Sequence, residues 1–138
     1  DCPVCWQPIA TPLQTTTYQL VAISENGCPV TASVRIEVHV VRRVYIPNIF
    51  KPDDDGISDL FQLFGDTQIA EILQMRIFDR WGNEIFAREH VMPEDTNAAW
   101  DGKYRGKAMQ PGVYVYYFEV LFRDGLTRVY AGDITLIR

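Results

Sequence analysis

Positive charge is scarce in this chain. Thirteen Lys and Arg stand against eighteen Asp and Glu, a formal net charge of −5, which argues against nucleic acid, whose phosphates reward clustered cations. Histidine is limited to His39, on the polar side of a strand pattern, and His90, in a polar loop. No Gly-x-Ser-x-Gly elbow, His-Glu-x-x-His pair or phosphate-cradling glycine loop is present. Carboxylate neighbours such as Glu94 and Asp95 lie in a polar loop with nothing to raise a pKa, so no enzyme is expected. No apolar run approaches the roughly 20 residues of a membrane helix. The longest, Val113 to Phe122, carries Glu119 and reads as a strand, so the chain is not expected to span a membrane. Internal repeats and low-complexity stretches are absent. Ile69 to Gln74 has some helical spacing but is too short to hold alone in water. The chain opens at Asp1 with neither Met nor a signal-peptide pattern, and is expected to be the tail of something longer.

Cysteine is sparse and localised: Cys2, Cys5 and Cys28 all fall in the first thirty residues. A Cys-x-x-Cys pair can bind zinc or do redox work, but zinc usually needs four ligands and no thioredoxin-like pattern surrounds the pair. A structural disulfide from Cys28 to Cys2 or Cys5, in an exported protein, is the expectation. The spacing leaves the connectivity open.

What the chain does have is apolar and aromatic mass in strand-like runs. At 47% hydrophobic and 22% charged, with seven Tyr, seven Phe and three Trp, its 138 residues can bury a core and favour an all-β fold. Residues 1–42 read as the end of a β module. Thr15 to Ser24 and Val30 to Val40 alternate apolar and polar residues about the turn Glu25-Asn-Gly27, which predicts a hairpin with one buried face. A boundary is expected near Arg42 and Arg43, with almost no linker. Residues 43–138 predict short strands at Val44–Phe50, Asp59–Phe64, Leu73–Asp79, Glu84–Arg88, Gly112–Phe122 and Thr127–Ile137. Arg123-Asp-Gly125 should join the last two as a hairpin. This spacing predicts an Ig-like β-sandwich.

Turn signals punctuate that second part in a particular order: Tyr45-Ile-Pro-Asn-Ile-Phe50, Pro52-Asp-Asp-Asp-Gly-Ile-Ser-Asp59, Asp79-Arg-Trp-Gly82, Trp100-Asp-Gly102, Pro111-Gly-Val-Tyr-Val-Tyr116 and Gly132-Asp-Ile-Thr-Leu-Ile-Arg138. Together they resemble the gliding-motility-associated C-terminal domain, the type B sorting domain of the Bacteroidetes type IX secretion system. Residues 1–42 resemble the closing strands of the PKD-like or Ig-like repeats that often precede it. The resemblance implies a domain that directs its parent through the outer-membrane translocon and retains it at the cell surface. The implied partners are translocon components and an outer-membrane β-barrel protein of the PorP/SprF type. The alternative is a surface adhesin or carbohydrate-binding β-sandwich module, which a pocket lined by two or more exposed aromatics would favour.

Five features are weighed as candidate sites. Asp53, Asp55 and Asp59 with Gly56 resemble part of a calcium loop, or form a surface turn held by Asp–amide bonds. Family members usually carry Pro-Asn-Gly-Asp-Gly here and Asn-Asp where this chain has Ser58-Asp59; Asp55, Gly56 and Asp59 keep that pattern, and Asp53 and Asp54 add charge. Arg80, Trp81 and Gly82 match the family's Asn/Asp-Arg-Trp-Gly element and form either a docking knob or a turn with its indole folded into the sandwich. Leu136, Ile137 and Arg138 end the chain, where a strand edge could pair with a partner. Lys103, Arg105 and Lys107 make a basic stripe, read as the solvated face of an edge strand. Tyr114, Tyr116 and Phe118 alternate with apolar neighbours, so that strand is expected to have one face in the core and the other covered. An exposed aromatic row for sugars is the alternative.

Overall fold

Alternating apolar residues produce strands through nearly the whole chain. The computed structural model describes residues 7–138 and divides into two units between Val41 and Arg42. In the first, β1 (Thr16–Ile23) and β2 (Pro29–Ile36) pair antiparallel, with Tyr18 opposite Val34 and Ala22 opposite Val30. The Ser24–Cys28 turn closes them, its Gly27 amide donating to the Ser24 carbonyl. Among the described residues nothing covers a face of this ribbon: Leu20, Val21, Ile23, Val30 and Val34 are all at least half exposed. Two strands make a ribbon, and a ribbon needs a facing layer to bury a face. The second strand also stops at Ile36 rather than Val40. Cys28 is exposed; its candidate disulfide partners, Cys2 and Cys5, lie outside the described residues.

The second unit runs through β3 (Val44–Tyr45), β4 (Ile49–Phe50), β5 (Phe64–Gly65), β6 (Ile69–Phe78), β7 (Glu84–Val91), a 3-10 turn at Thr96–Ala98, β8 (Lys103–Tyr104), β9 (Lys107–Ala108), β10 (Gly112–Phe122) and β11 (Thr127–Leu136). One sheet has the order β4-β11-β10-β6-β7, antiparallel except for the parallel β4–β11 pair. The facing layer is thin, built from β3–β5, the Phe61–Trp100 bridge and the small β8–β9 hairpin. The unit is thus an all-β, Ig-like sandwich.

Several sequence expectations change in detail. β7 runs on past Arg88 to Val91, so His90 lies in a strand rather than a loop. The segment Val44–Phe50 is two strands, because Pro47 between them has no amide to donate to a ladder. Asp59–Phe64 is not one strand; it supplies the Phe61 bridge and then β5. Finally, β6 starts at Ile69 rather than Leu73. The helix-like spacing of Ile69, Ile72 and Met75 comes from two bulges. Val120 pairs with Ile72 while Glu119 pairs with Gln74, and Phe122 pairs with Ile69 while Leu121 pairs with Glu71. Leu73 and Ala70 are the extra residues, and each insertion moves the next inward position from two apart to three.

The core lies between the layers. Phe118, Val120 and Phe122 of β10 and Ile134 and Leu136 of β11 meet Ile72, Met75 and Ile77 of β6, under Phe61, Leu63 and Trp100. The Phe61 ring sits 5.6 Å from Tyr116 and 5.9 Å from Phe118, tilted in both pairs. Each such side chain contributes about 1.5–3 kcal/mol by leaving water. The aromatic face of β10 therefore points inward, and no exposed aromatic row results. Its other face is more open than expected: Val113 is 52% and Val115 45% exposed.

Candidate functional site

The turn between β6 and β7 is held by a single carboxylate. Asp79 Oδ1 accepts from the Trp81 amide at 2.8 Å and the Asn83 amide at 2.9 Å, while Oδ2 accepts from Asn83 Nδ2 at 2.9 Å. The Gly82 amide donates to the Asp79 carbonyl at 3.0 Å, and Gly82 takes φ +84°, which an L side chain adopts at a cost. The Asn83 amide group, with the Asn83, Trp81 and Gly82 backbone donors, holds the Asp79 carboxyl below its ordinary range against the opposing pull of desolvation. With Asp79 and Gly82 closing the turn, Arg80 and Trp81 occupy its apex. Trp81 is 80% exposed, so the indole does not fold into the sandwich.

Trp100 does the opposite. Its ring is fully buried, 5.2 Å from Phe50 and 5.2 Å edge-on from Tyr114. Its Nε1–H donates to the Lys103 carbonyl at 3.0 Å, which fixes the start of the β8–β9 hairpin. That hairpin turns on Arg105 and Gly106, both with positive φ. The basic stripe is therefore a two-residue hairpin, not the edge of a long strand. Below it, the Tyr114 hydroxyl donates to the Gln110 carbonyl at 2.7 Å, and burial pushes its pKa up.

These loops meet at one end of the second unit. Arg138 Nε donates to the Met109 carbonyl at 3.2 Å and Arg138 Nη2 to the Gly102 carbonyl at 3.4 Å. A Cβ on Gly102 would lie 2.9 Å from Pro52 Cγ, which places the base of the acidic loop beside the hairpin, and one on Gly112 would lie 3.6 Å from Arg80 Nη2. Between the turn and the hairpin is a cleft of about 220 Å³ lined by Asp79, Arg80, Trp81, Ala108, Met109, Gln110, Val113 and Tyr114. Of its two aromatics only Trp81 is exposed; Tyr114 is 6% exposed.

In the acidic loop, Asp59 Oδ1 accepts from the Asp53 and Asp54 amides and Oδ2 from the Gly56 amide, at 2.7–3.0 Å. Asp55 Oδ1 accepts from the Ile57 amide at 2.7 Å. Asp53 pairs with Lys51, which holds the Asp53 carboxyl low and the Lys51 ammonium high. Carboxylate oxygens of Asp53, Asp55 and Asp59 come within 4.8 Å of one another. A lysine and four backbone amides face these carboxylates.

The chain terminus departs from expectation. Thr135 and Leu136 pair with Ile49 and Phe50 of β4, and the Ile137 amide donates to the Phe50 carbonyl at 3.1 Å. The backbone of residues 135–137 is thus bonded to β4 inside the domain, and Arg138 is held through its side chain. Leu136 is fully buried and belongs to the core, Ile137 is 39% exposed, and Arg138 braces the loops. The structure thus brings Arg80, Trp81, Gly82, the base of the Asp53–Asp59 loop and Arg138 to one end. Ala108, Met109 and Gln110, which help complete the cleft, carried no signal in the sequence, and Val113 was legible only as part of its strand: their role comes from a long-range approach.

Residues 44–136 match the CHU_C type IX secretion signal domain, and the chain belongs to that family: it carries a sorting domain for type IX secretion. Among solved structures, it aligns with dimeric latent PorU from Porphyromonas gingivalis at 12% identity and a TM-score of 0.39, over 93% of this chain and 13% of that one. That likeness is too low to carry an argument. No curated protein matches the chain. Among the described residues no helix is long and apolar enough to cross a membrane.

Proposed function

We propose that the domain at residues 43–138 works in two stages: it presents its parent protein to the type IX translocon, and then retains it at the cell surface by docking on an outer-membrane β-barrel protein of the PorP/SprF type. The supporting observation is the Asp79–Gly82 turn, which spends its bonding capacity on holding an arginine and a nearly bare tryptophan out into solvent. Exposed Trp costs solubility with no folding return, while Trp and Arg are the residues enriched in binding hot spots. Arg80, Trp81 and Gly82 form the knob. Asp53, Asp55 and Asp59 stiffen the neighbouring loop, and Arg138 fixes the hairpin on the far side. Leu136 and Ile137 serve this surface indirectly, by anchoring the last strand. The carbohydrate-binding alternative draws no support from a cleft with one exposed aromatic.

The test is genetic. In a bacterium with this secretion system, a reporter carrying the full chain at its C-terminus should be surface-bound when the cognate barrel protein is present. It should be lost from the surface when that barrel gene is deleted. Equal surface retention with and without the barrel would overturn the retention stage.

A further inference from the structure

The cleft beside Trp81 has a charge that the chain as a whole lacks. The net charge is −5, yet Arg80 lines the cleft and Arg138 bonds its Met109 carbonyl, against the single carboxylate of Asp79. Among the described residues neither arginine is in an ion pair, whereas Arg42, Lys51, Arg76 and Lys103 all are. The Asp79 oxygens turn back onto the Trp81 and Asn83 donors of their own turn. The cleft therefore has two arginines to one carboxylate beside the apolar Met109 and Val113, with Trp81 also in its lining.

Its size narrows the occupant. About 220 Å³ is below the roughly 300–1,000 Å³ of small-molecule sites, and is suited to one or two side chains of a peptide. Arg presents a planar fork that matches a carboxylate in two parallel hydrogen bonds, and an indole beside a thioether and a valine takes an apolar or aromatic side chain. The geometry points to an acidic segment of the partner protein as the ligand of this cleft: an Asp or Glu seated on Arg80, next to an apolar side chain packed between Trp81 and Met109. This inference rests on the docking reading above and specifies its chemistry.

The test uses the full chain as the C-terminus of its exported reporter. Gln110, exposed at the cleft and needed only through its backbone carbonyl, is replaced by the photo-crosslinker p-benzoylphenylalanine, and the crosslinked partner segment is sequenced. The expected product is a peptide with net negative charge and an apolar residue beside its acids. In parallel, Arg80→Glu should reduce crosslinking at least tenfold, with Arg80→Lys retaining part of it. A neutral or basic crosslinked segment overturns the inference, as do adducts with lipid alone, or no adduct while the reporter remains surface-bound. Normal retention of an Arg80→Ala/Trp81→Ala reporter would overturn the docking reading itself. Loss of retention in that variant, with a non-acidic crosslinked segment, would overturn only the acidic-segment inference.

Discussion

Two tryptophans in this domain should respond to the same substitution in opposite ways. Trp100 is fully buried between Phe50 and Tyr114 and donates to the Lys103 carbonyl. Truncating it to alanine opens a cavity at the centre of the core and should cost about 3–5 kcal/mol. A domain of this size has roughly 5–15 kcal/mol of stability, and each kcal/mol moves Tm by about 4–8 °C, so the fall should be roughly 12–40 °C. Trp81 is 80% exposed and touches the fold mainly through its backbone amide, which alanine keeps. Trp81→Ala should change stability by no more than about 0.5 kcal/mol. If the indole anchors a partner, its loss should cost at least about 2 kcal/mol of binding, near thirtyfold in Kd. Thermal unfolding by circular dichroism, paired with surface quantification of a fused reporter, separates the two effects. A Trp81→Ala domain that melts as early as Trp100→Ala would refute the reading of Trp81 as an exposed knob. One that melts normally and is retained normally would refute its role in docking.

Gly102→Ala should also destabilise the loop end, because its φ of +73° is strained for alanine and the new Cβ would meet Pro52 Cγ at 2.9 Å and Leu136 Cδ1 at 3.1 Å. The expected loss is about 2–4 kcal/mol, read as a lower Tm; an unchanged Tm would contradict the packing described. The Asp79 carboxyl is held low in the folded state, so its contribution is present above its unfolded value near pH 4 and disappears as pH falls through the folded value. The Trp81 indole NMR signal should therefore hold its position down to about pH 4 and move only below it; a transition centred above pH 5 would contradict this. Asp59→Ala removes the acceptor of three amides and should speed hydrogen exchange at Asp53, Asp54 and Gly56, leaving the core strands protected. Calcium titrated to millimolar should leave these amide signals in place; a saturable shift would instead establish a cation site.

The sequence made the sheet largely legible because β10 and β11 are long β-branched and aromatic runs about an Arg123-Asp-Gly125 turn, and turn residues report local conformation directly. It misled at β6, where two bulges imitate a helical repeat, and at the terminus, where the parallel pairing with β4 depends on a contact between residues almost ninety positions apart. The same limit applies to the site. Asp79-Arg80-Trp81-Gly82 announces its turn locally, but whether an indole points in or out depends on what the rest of the chain places beside it. Met109 and Gln110 had no local signature at all. Their grouping with Arg80 follows from Arg138 and Tyr114 bonding the hairpin and its flanking loop into place.

The central claim is that this sorting domain is read as a folded loop surface centred on Arg80 and Trp81. The most direct measurement fuses the chain to a periplasm-exported reporter in a bacterium with an active type IX system and its barrel partner. Surface reporter is then compared between the native sequence and Arg80→Ala/Trp81→Ala, with equal folding verified for both. The account predicts surface display with the native sequence and its loss in the double variant. Equal surface display from both would contradict it.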